Sequence, residues 1–327
     1  MATNRTILVT GGLGLIGHNV VAQFEQQGHR VIITDTKTNY GIIPQAELDY
    51  LVTERRKKII TDRIYSIDIA DREGINWLIR THQPDVVIHL ASFPRQKVVN
   101  AYPQWGSQTM SEGLLNLLEA CKANTVCKFV YISSSMVYGD FTDDVREDAN
   151  CQPQGQYGIM KLAGEWLVQD YSRRGFFDHV IIRPSAVYGP LDVEDRVISK
   201  FLSTAMRNGI LKVNGASETL DFTYVTDVAD GIVAATLSDQ TTNKTYNITK
   251  SHSWSLLDAA NLAVRIVGQG TVEVRDKDSD FPSRGALNID AARKDFGYNP
   301  QVDIKEGFQR YYDWLIDYPI YGIKKTV

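Results

Sequence analysis

The chain is poor in cysteine. Cys121, Cys127 and Cys151 are the only three in 327 residues, and an odd count without C-x-x-C spacing excludes a disulfide framework and a thiolate metal site. Reduced thiols in a cytoplasmic protein are the natural expectation. No apolar run approaches the roughly 18 residues a membrane span needs. Met1 to Arg5 leads straight into a short apolar strand, with no signal-peptide core behind it, so no membrane partner is expected. Charge of one sign is also missing: 35 Lys and Arg against 39 Asp and Glu give a net charge of −4. The densest run, Glu54-Arg55-Arg56-Lys57-Lys58, is short and reads as the solvated face of a helix, so no nucleic-acid partner is expected. His18, His29, His82, His179 and His252 are scattered without ligand spacing, which argues against a metal. Repeats and low-complexity segments are absent too.

What is present is an average globular mix, 43% hydrophobic with 24 glycines, long enough for a cofactor-sized domain and a second lobe. The first half alternates short β-branched runs with amphipathic stretches. Thr6 to Thr10, Arg30 to Thr34, Asp85 to Leu90, Phe129 to Ser133 and His179 to Arg183 read as strands. Helical periodicity covers Leu15 to Gln27, about 71–82, about 107–123 and Tyr157 to Arg174. Near-continuous apolar strands separated by helices predict an α/β fold with a doubly wound parallel sheet. After Tyr188-Gly189-Pro190 the rhythm loosens. Helical patterns at about 195–208, 226–237, 255–267 and 304–317 are separated by polar segments that read as irregular. The expected division is a cofactor domain over 1–185, with a return segment around 221–249, and a smaller mixed α/β substrate-binding lobe over 186–327. The five tryptophans read as packing residues. Tyr311, Tyr312, Trp314, Tyr318 and Tyr321 form a C-terminal cluster suited to covering that lobe or to a subunit contact.

Thr10-Gly11-Gly12-Leu13-Gly14-Leu15-Ile16-Gly17 follows the first strand and opens the first helix. Glycines at 11, 14 and 17 suit a tight turn, backbone approach to a pyrophosphate and close helix–strand packing. The helix N-terminus offers free N–H groups and a positive dipole to the anion. Asp35 ends the second strand, where its carboxylate would accept from ribose hydroxyls and repel a 2′-phosphate. The cofactor predicted is NAD.

Tyr157 and Lys161 are four residues apart, on one face of a helix. An ammonium beside a phenol is expected to lower its pKa and make a base available near neutral pH. Ser133-Ser134-Ser135 lies at the carboxyl end of a strand, where such folds bind ligands, and a serine there could bridge a substrate oxygen and the tyrosine.

With these motifs the chain resembles the extended short-chain dehydrogenase/reductase family, in its group of nucleotide-sugar epimerases and dehydratases. The resemblance runs over nearly the whole chain. It takes in the Gly11/Gly14/Gly17 loop and Asp35, with Asp68 and Ile69 similar to the family's adenine-contacting pair. Leu90-Ala91-Ser92 resembles the strand end lining the cofactor. Ser134-Ser135-Met136-Val137-Tyr138-Gly139 resembles the Ser/Thr-x-x-Val-Tyr-Gly segment. Tyr157 and Lys161 match Tyr-x-x-x-Lys. Arg183-Pro184-Ser185-Ala186-Val187-Tyr188-Gly189-Pro190 and Asp221 to Val228 resemble two further family segments. Arg284, followed by 290–300, resembles the region that grips the substrate's diphosphate.

The resemblance implies a Rossmann domain binding NAD through Gly11, Gly14, Leu15, Ile16, Gly17, Asp35, Asp68, Ile69, Leu90, Ala91, Ser92, Tyr157, Lys161, Pro184 and Val187. It implies catalysis by Ser134, Tyr157 and Lys161, and a nucleotide-diphosphate sugar held by Arg95, Ser135, Met136 and Arg284. A hydride would pass from the sugar to bound NAD as Tyr157 takes the hydroxyl proton, and Lys161 would hold the nicotinamide ribose. By analogy the helices at about 107–123 and 156–174 would pair in a homodimer.

In the family's 4,6-dehydratases an acidic residue precedes Val-Tyr-Gly. Here that position is Met136, whose thioether is neither acid nor base. Epimerisation at C4 is therefore the expected activity. The alternatives are a net oxidoreductase or atypical 4,6-dehydratase on a nucleotide-activated sugar, and a non-catalytic NAD-binding sensor. Three departures bear on substrate choice: Leu220 where many members have Arg, Ala186 where many have Asn, and an unusual segment Phe93-Pro94-Arg95-Gln96-Lys97.

Overall fold

The structure is a computed structural model that describes residues 4–93, 95–192 and 196–319. Pro94, Tyr321 and positions 193–195 of the loop after Pro190 lie outside the described residues. In chain order the strands are β1 (Thr6–Thr10), β2 (Arg30–Thr34), β3 (Ile64–Tyr65), β4 (Val86–His89), β5 (Lys128–Ile132), β6 (Asp178–Pro184), β7 (Val187–Tyr188), β8 (Ile210–Asn214), β9 (Thr219–Asp221), β10 (Thr223–Tyr224), β11 (Lys244–Ile248), β12 (Ser253–Ser255) and β13 (Thr271–Arg275). The helices are α1 (Leu15–Gln26), α2 (Gln45–Arg56), α3 (Arg72–His82), α4 (Gln96–Ala101), α5 (Pro103–Ser107), α6 (Gly113–Ala123), α7 (Gly155–Arg173), α8 (Val197–Met206), α9 (Val225–Leu237), α10 (Leu256–Val267), α11 (Asp290–Phe296) and α12 (Ile304–Ile316).

Seven parallel strands in the order β11-β6-β5-β4-β1-β2-β3 form the central sheet. The reversal of direction at β1 marks the switch point where ligands bind in such sheets. Because side chains alternate across a strand, each strand serves two cores. Ile7, Val9, Ile33, Ile88, Val130 and Ile182 face α1 and α9. Leu8, Ile32, Val87, Phe129 and Ile181 face α3, α6 and α7. This is why the strand sequences are apolar almost throughout, and the doubly wound parallel sheet is the fold the chain adopts.

After β6 the chain leaves the sheet, builds β7 to β10 and α8, then returns through α9 to β11 at the sheet edge. The second lobe has its own core, in which Phe201, Leu202, Leu211, Val213, Ala263, Phe308 and Tyr311 are buried. Its intervening segments are not all irregular. β8 pairs with β13 in parallel, and β9 pairs with β12 antiparallel. β8 alternates exposed and buried residues, so Leu211 and Val213 point inward while Ile210, Lys212 and Asn214 do not. Of the C-terminal aromatic cluster, Tyr311 and Tyr318 are buried in this core, with Tyr50 of α2 edge-on to Tyr318. Trp254 and Trp314 pack there too, whereas Trp166 is 62% exposed. Among the described residues no helix is long and apolar enough to cross a membrane.

Candidate active site

The turn from β1 to α1 is made by Gly11, whose φ of +69° is left-handed, and an added Cβ there would lie 2.8 Å from Ala91 N. Gly17 is closed in as tightly, since a Cβ would meet Gly11 O at 2.2 Å. Both glycines are therefore demanded by backbone contacts within the protein. Gly14 is different: it is the N-cap of α1, its nearest obstruction is Gly11 O at 3.1 Å, and no side chain caps the helix. No acidic residue occupies the first turn, so the N–H groups of Leu15, Ile16 and Gly17 and the positive helix end are left for an anion. A pyrophosphate fits this cradle.

Asp35 closes the next corner. Its carboxylate accepts from Leu13 N at 2.9 Å and from Lys37 N at 2.8 Å. Burial raises its pKa, and the two backbone donors and the Arg55 charge oppose that. Asp68 accepts from Ala70 N, and Ile69 is buried beside it. These residues line a cavity of about 250 Å³ with Gly11, Gly14, Leu15, Leu90, Ala91, Ser92 and Arg95. A second cavity of about 860 Å³ shares Gly11, Gly14, Leu15, Leu90, Ser92 and Arg95 and extends toward the second lobe. Its walls include Ile16, Gly17, Ser134, Ser135, Met136, Tyr157, Lys161, Pro184, Val187 and Arg284. The two cavities thus bring together every residue named from the sequence as cofactor, catalytic or substrate contact.

At the junction Ser134, half-buried at the end of β5, donates a hydrogen bond to the Tyr157 oxygen. Lys161 is 4% exposed; its Nζ donates to Ile132 O at 2.8 Å and stands 5.9 Å from the Tyr157 ring centre. The expected lowering of the phenol by Lys161 is not what this geometry gives. Burial raises the Tyr157 pKa, and the opposing influences are Arg196 and the Ser134 hydrogen bond. The ammonium points at a main-chain carbonyl, and burial holds Lys161 itself down to about 7 against the pull of Glu165. Burial therefore disfavours the charged form of both groups, the phenolate of Tyr157 and the ammonium of Lys161.

Behind these residues is a buried ion pair that motif reading did not single out. Glu165, one turn beyond Lys161 on α7, accepts from Arg183 Nε at 2.9 Å and Nη2 at 2.6 Å, and from Ser133 Oγ. Arg183 Nη1 also donates to the Tyr138 hydroxyl, which donates to Asn247 on β11. The signal was available in the i, i+4 spacing of Lys161 and Glu165. Sequence also missed a clasp across the cavity mouth: Lys97 of α4 pairs with Asp278 of the second lobe at 2.8 Å, and Gln96 donates to Asp280 O.

The two carboxylates lining the larger cavity are already engaged, Asp278 by Lys97 and Glu218 by Lys277. Met136 is 6% exposed in a short 3-10 turn capped by Ser134. Leu220 lines the cavity, while cations on the wall include Arg95, Lys97, Lys212, Arg275, Lys277 and Arg284. The Arg284 Nε is buried without a hydrogen-bond partner, the condition of a guanidinium awaiting an anion. Ala186 is left-handed at φ +35°, a conformation the asparagine common in similar sequences adopts more readily. No group of three potential metal ligands occurs among the described residues.

Comparison with known proteins finds one family. A profile described as the NAD dependent epimerase/dehydratase family matches residues 7–249. An uncharacterized UDP-glucose epimerase of Bacillus subtilis is 29% identical over 310 residues, covering 92% of this chain and 95% of that protein. The dTDP-D-glucose 4,6-dehydratase of Bos taurus is 28% identical, covering 95% and 88%. Among solved structures, the UDP-glucuronic acid 4-epimerase from Bacillus cereus, in complex with UDP-glucuronic acid and NAD, superimposes with a TM-score of 0.86 at 28% identity, covering 95% and 99%.

Proposed function

The chain belongs to the NAD dependent epimerase/dehydratase family, and from that premise we propose that it is an NAD-dependent nucleotide-sugar epimerase acting at C4 through a transient keto-sugar. The observation that carries this reading is the lining of the larger cavity: Ser134, Tyr157 and Lys161 beside the thioether of Met136, with both carboxylates held in ion pairs. Epimerisation needs a group to take and return one hydroxyl proton, whereas elimination needs a further acid and base.

When bound, NAD supplies reversible two-electron acceptance and a positively charged ring. Tyr157 takes the C4 hydroxyl proton and gives it back, with Ser134 hydrogen-bonded to the phenol oxygen to favour its charged form. Lys161, whose Nζ donates to Ile132 O, would turn from that bond to hold a ribose hydroxyl. The helix end at Gly14 to Gly17 and the Asp35 carboxylate bind the dinucleotide. Arg284, with its partnerless Nε, takes a phosphate oxygen of the sugar nucleotide, and Arg95, Ser135 and Met136 border the sugar. The keto-sugar needs room to turn, which a cavity of about 860 Å³ allows.

The same proposal makes the chain a cytoplasmic homodimer. It is supported by three free cysteines and by Leu115, Ile159 and Trp166, large apolar side chains exposed on α6 and α7. Light scattering reads the mass directly.

The test is a panel of UDP-, GDP-, CDP- and dTDP-sugars followed by NMR and by absorbance of reduced nicotinamide. Equilibration of C4 epimers without net reduction is the expected result. A 4-keto-6-deoxy product, the outcome in the dehydratase relatives, or stoichiometric reduced cofactor would refute it. Tyr157→Phe should bind NAD normally while losing turnover by three orders of magnitude or more, on the order expected for a lost general base with its polar contacts.

A further inference from the structure

Arg55 belongs to the charge run that sequence reads as a solvated helix face, and for Lys57, which pairs with Glu54 in solvent, that reading holds. Arg55 departs from it, being 5% exposed. Its fork is taken up by two backbone carbonyls. Nη1 donates to Leu13 O at 3.1 Å, and Nε and Nη2 donate to Leu191 O at 3.2 and 2.6 Å. Leu13 lies inside the phosphate loop, between Gly12 and Gly14. Leu191 follows Gly189-Pro190, where the chain leaves the sheet for the second lobe. Burial lowers the pKa of the same guanidinium, and the charges of Asp192 and Asp35 raise it, as do Tyr311 and Tyr318 from the second-lobe core.

The backbone at the far end of this link is unusual. Leu191 has φ +69° and Ala186 φ +35°, both left-handed without being glycine. Such conformations persist only where the surroundings over-determine them. Two donors on the Leu191 carbonyl supply that constraint, and both come from one side chain whose third donor reads the position of the phosphate loop.

We propose that Arg55 is a positioning residue that couples the cofactor loop to the substrate lobe. A dinucleotide that fixes Leu13 fixes the guanidinium, and the guanidinium fixes Leu191 and the segment 188–192 beside the substrate cavity. A lysine keeps the charge but cannot hold two carbonyls in this fork geometry. The proposal rests on the epimerase reading only for the identity of the second ligand.

The experiment uses protein stripped of NAD, and hydrogen–deuterium exchange of peptides covering 188–192, with and without saturating NAD. Tyr188 lines the larger cavity and Asp192 the smaller, whereas Leu191 lines neither, so overlapping peptides are used to isolate the Leu191 amide, where protection has to be transmitted. In the wild type NAD should slow exchange by on the order of tenfold and tighten calorimetric binding of UDP by a similar factor, as coupling is reciprocal. Arg55→Lys should keep the protected amides of β1 and β4 but bring both ratios close to one; Arg55→Met should do the same if it folds, and the lysine variant decides the matter if it does not. Three results overturn the proposal: no NAD-dependent protection of 188–192 in the wild type, an unchanged ratio in Arg55→Lys, or loss of NAD binding in that variant with exchange in NAD-free protein unaltered. A purely structural role would lower the melting temperature and leave the ratio intact. The exchange measurement needs no sugar nucleotide, so a failed substrate panel would refute the epimerase reading and leave this test legible.

Discussion

Replacing Lys161 by methionine should make the NAD-free protein more stable and the enzyme inactive. The ammonium is buried, and burial holds its pKa from 10.5 down to about 7, with Glu165 the opposing influence. At about 1.4 kcal/mol per tenfold in proton affinity, the charged form is disfavoured in the fold by on the order of 5 kcal/mol. Methionine has similar length and no charge to desolvate, but it leaves Ile132 O without the donor it has at 2.8 Å. That loss costs about 1–2 kcal/mol. The net expectation at pH 6 is a gain of about 3 kcal/mol. Its pH dependence follows from the sign of the shift. Between pH 7 and 10.5 the unfolded chain binds more protons at this site than the folded one, so wild-type stability rises with pH relative to the variant. The variant's advantage is therefore nearly full below pH 7 and is gone by pH 10, where the remaining charge penalty of about 1 kcal/mol no longer exceeds the lost hydrogen bond. Urea unfolding of both proteins at pH 6 and pH 10, without NAD, measures the difference with other titrating groups cancelled. A variant less stable than wild type at pH 6, or an advantage that does not narrow with pH, would refute the reasoning. Added NAD should reduce the wild-type deficit, since a ribose hydroxyl gives the ammonium a partner.

Glu165→Gln should cost about 3–5 kcal/mol, because Arg183 is then a buried charge without its counter-ion, and the pair Glu165→Leu with Arg183→Met should recover part of it. Denaturant midpoints of the three proteins check this, and a loss below about 1 kcal/mol for the single variant contradicts it. Gly17→Ala should abolish NAD binding, read by fluorescence titration, because its methyl would stand 2.2 Å from Gly11 O and the loop must open to admit it. Gly14→Ala, with 3.1 Å at its closest approach, should retain more thermal stability than Gly17→Ala.

The central sheet is legible because burial on both faces forces each strand to be apolar along its length, as in Thr6-Ile7-Leu8-Val9-Thr10, whose last four residues are all buried. Between such strands the amphipathic helices have no competitor. The second lobe is less legible for the opposite reason. Its strands are short, half-buried and paired in twos, so a segment such as Thr271–Arg275 carries mainly polar or exposed residues and its partner is more than fifty positions away at Ile210–Asn214. α2 is similarly faint, because Gln45 to Arg56 is polar overall and buries only Glu47, Leu51 and Arg55.

The site divides along the same line. Groups whose work depends on local spacing can be read from the chain: a turn that needs Gly11, a helix end left open at Gly14, and a phenol and an amine one turn apart. Groups whose work depends on what burial does to charge cannot. Arg55 has the same formal character as Arg56, yet one guanidinium joins two loops inside the protein and the other donates to Ile59 O just past the end of its own helix. The proximity of Lys161 to Tyr157 is right in sequence, but the phenol pKa goes up rather than down because burial dominates, with the ammonium 5.9 Å from the ring centre and turned to Ile132 O. Spacing fixes which groups can meet, while the net direction of each pKa is decided by whether desolvation outweighs the neighbouring charges, and that is a property of the folded cavity. Tyr157 and Lys161 in the NAD-free protein are thus held near their uncharged forms, which makes cofactor entry the event that gives the pair its chemistry.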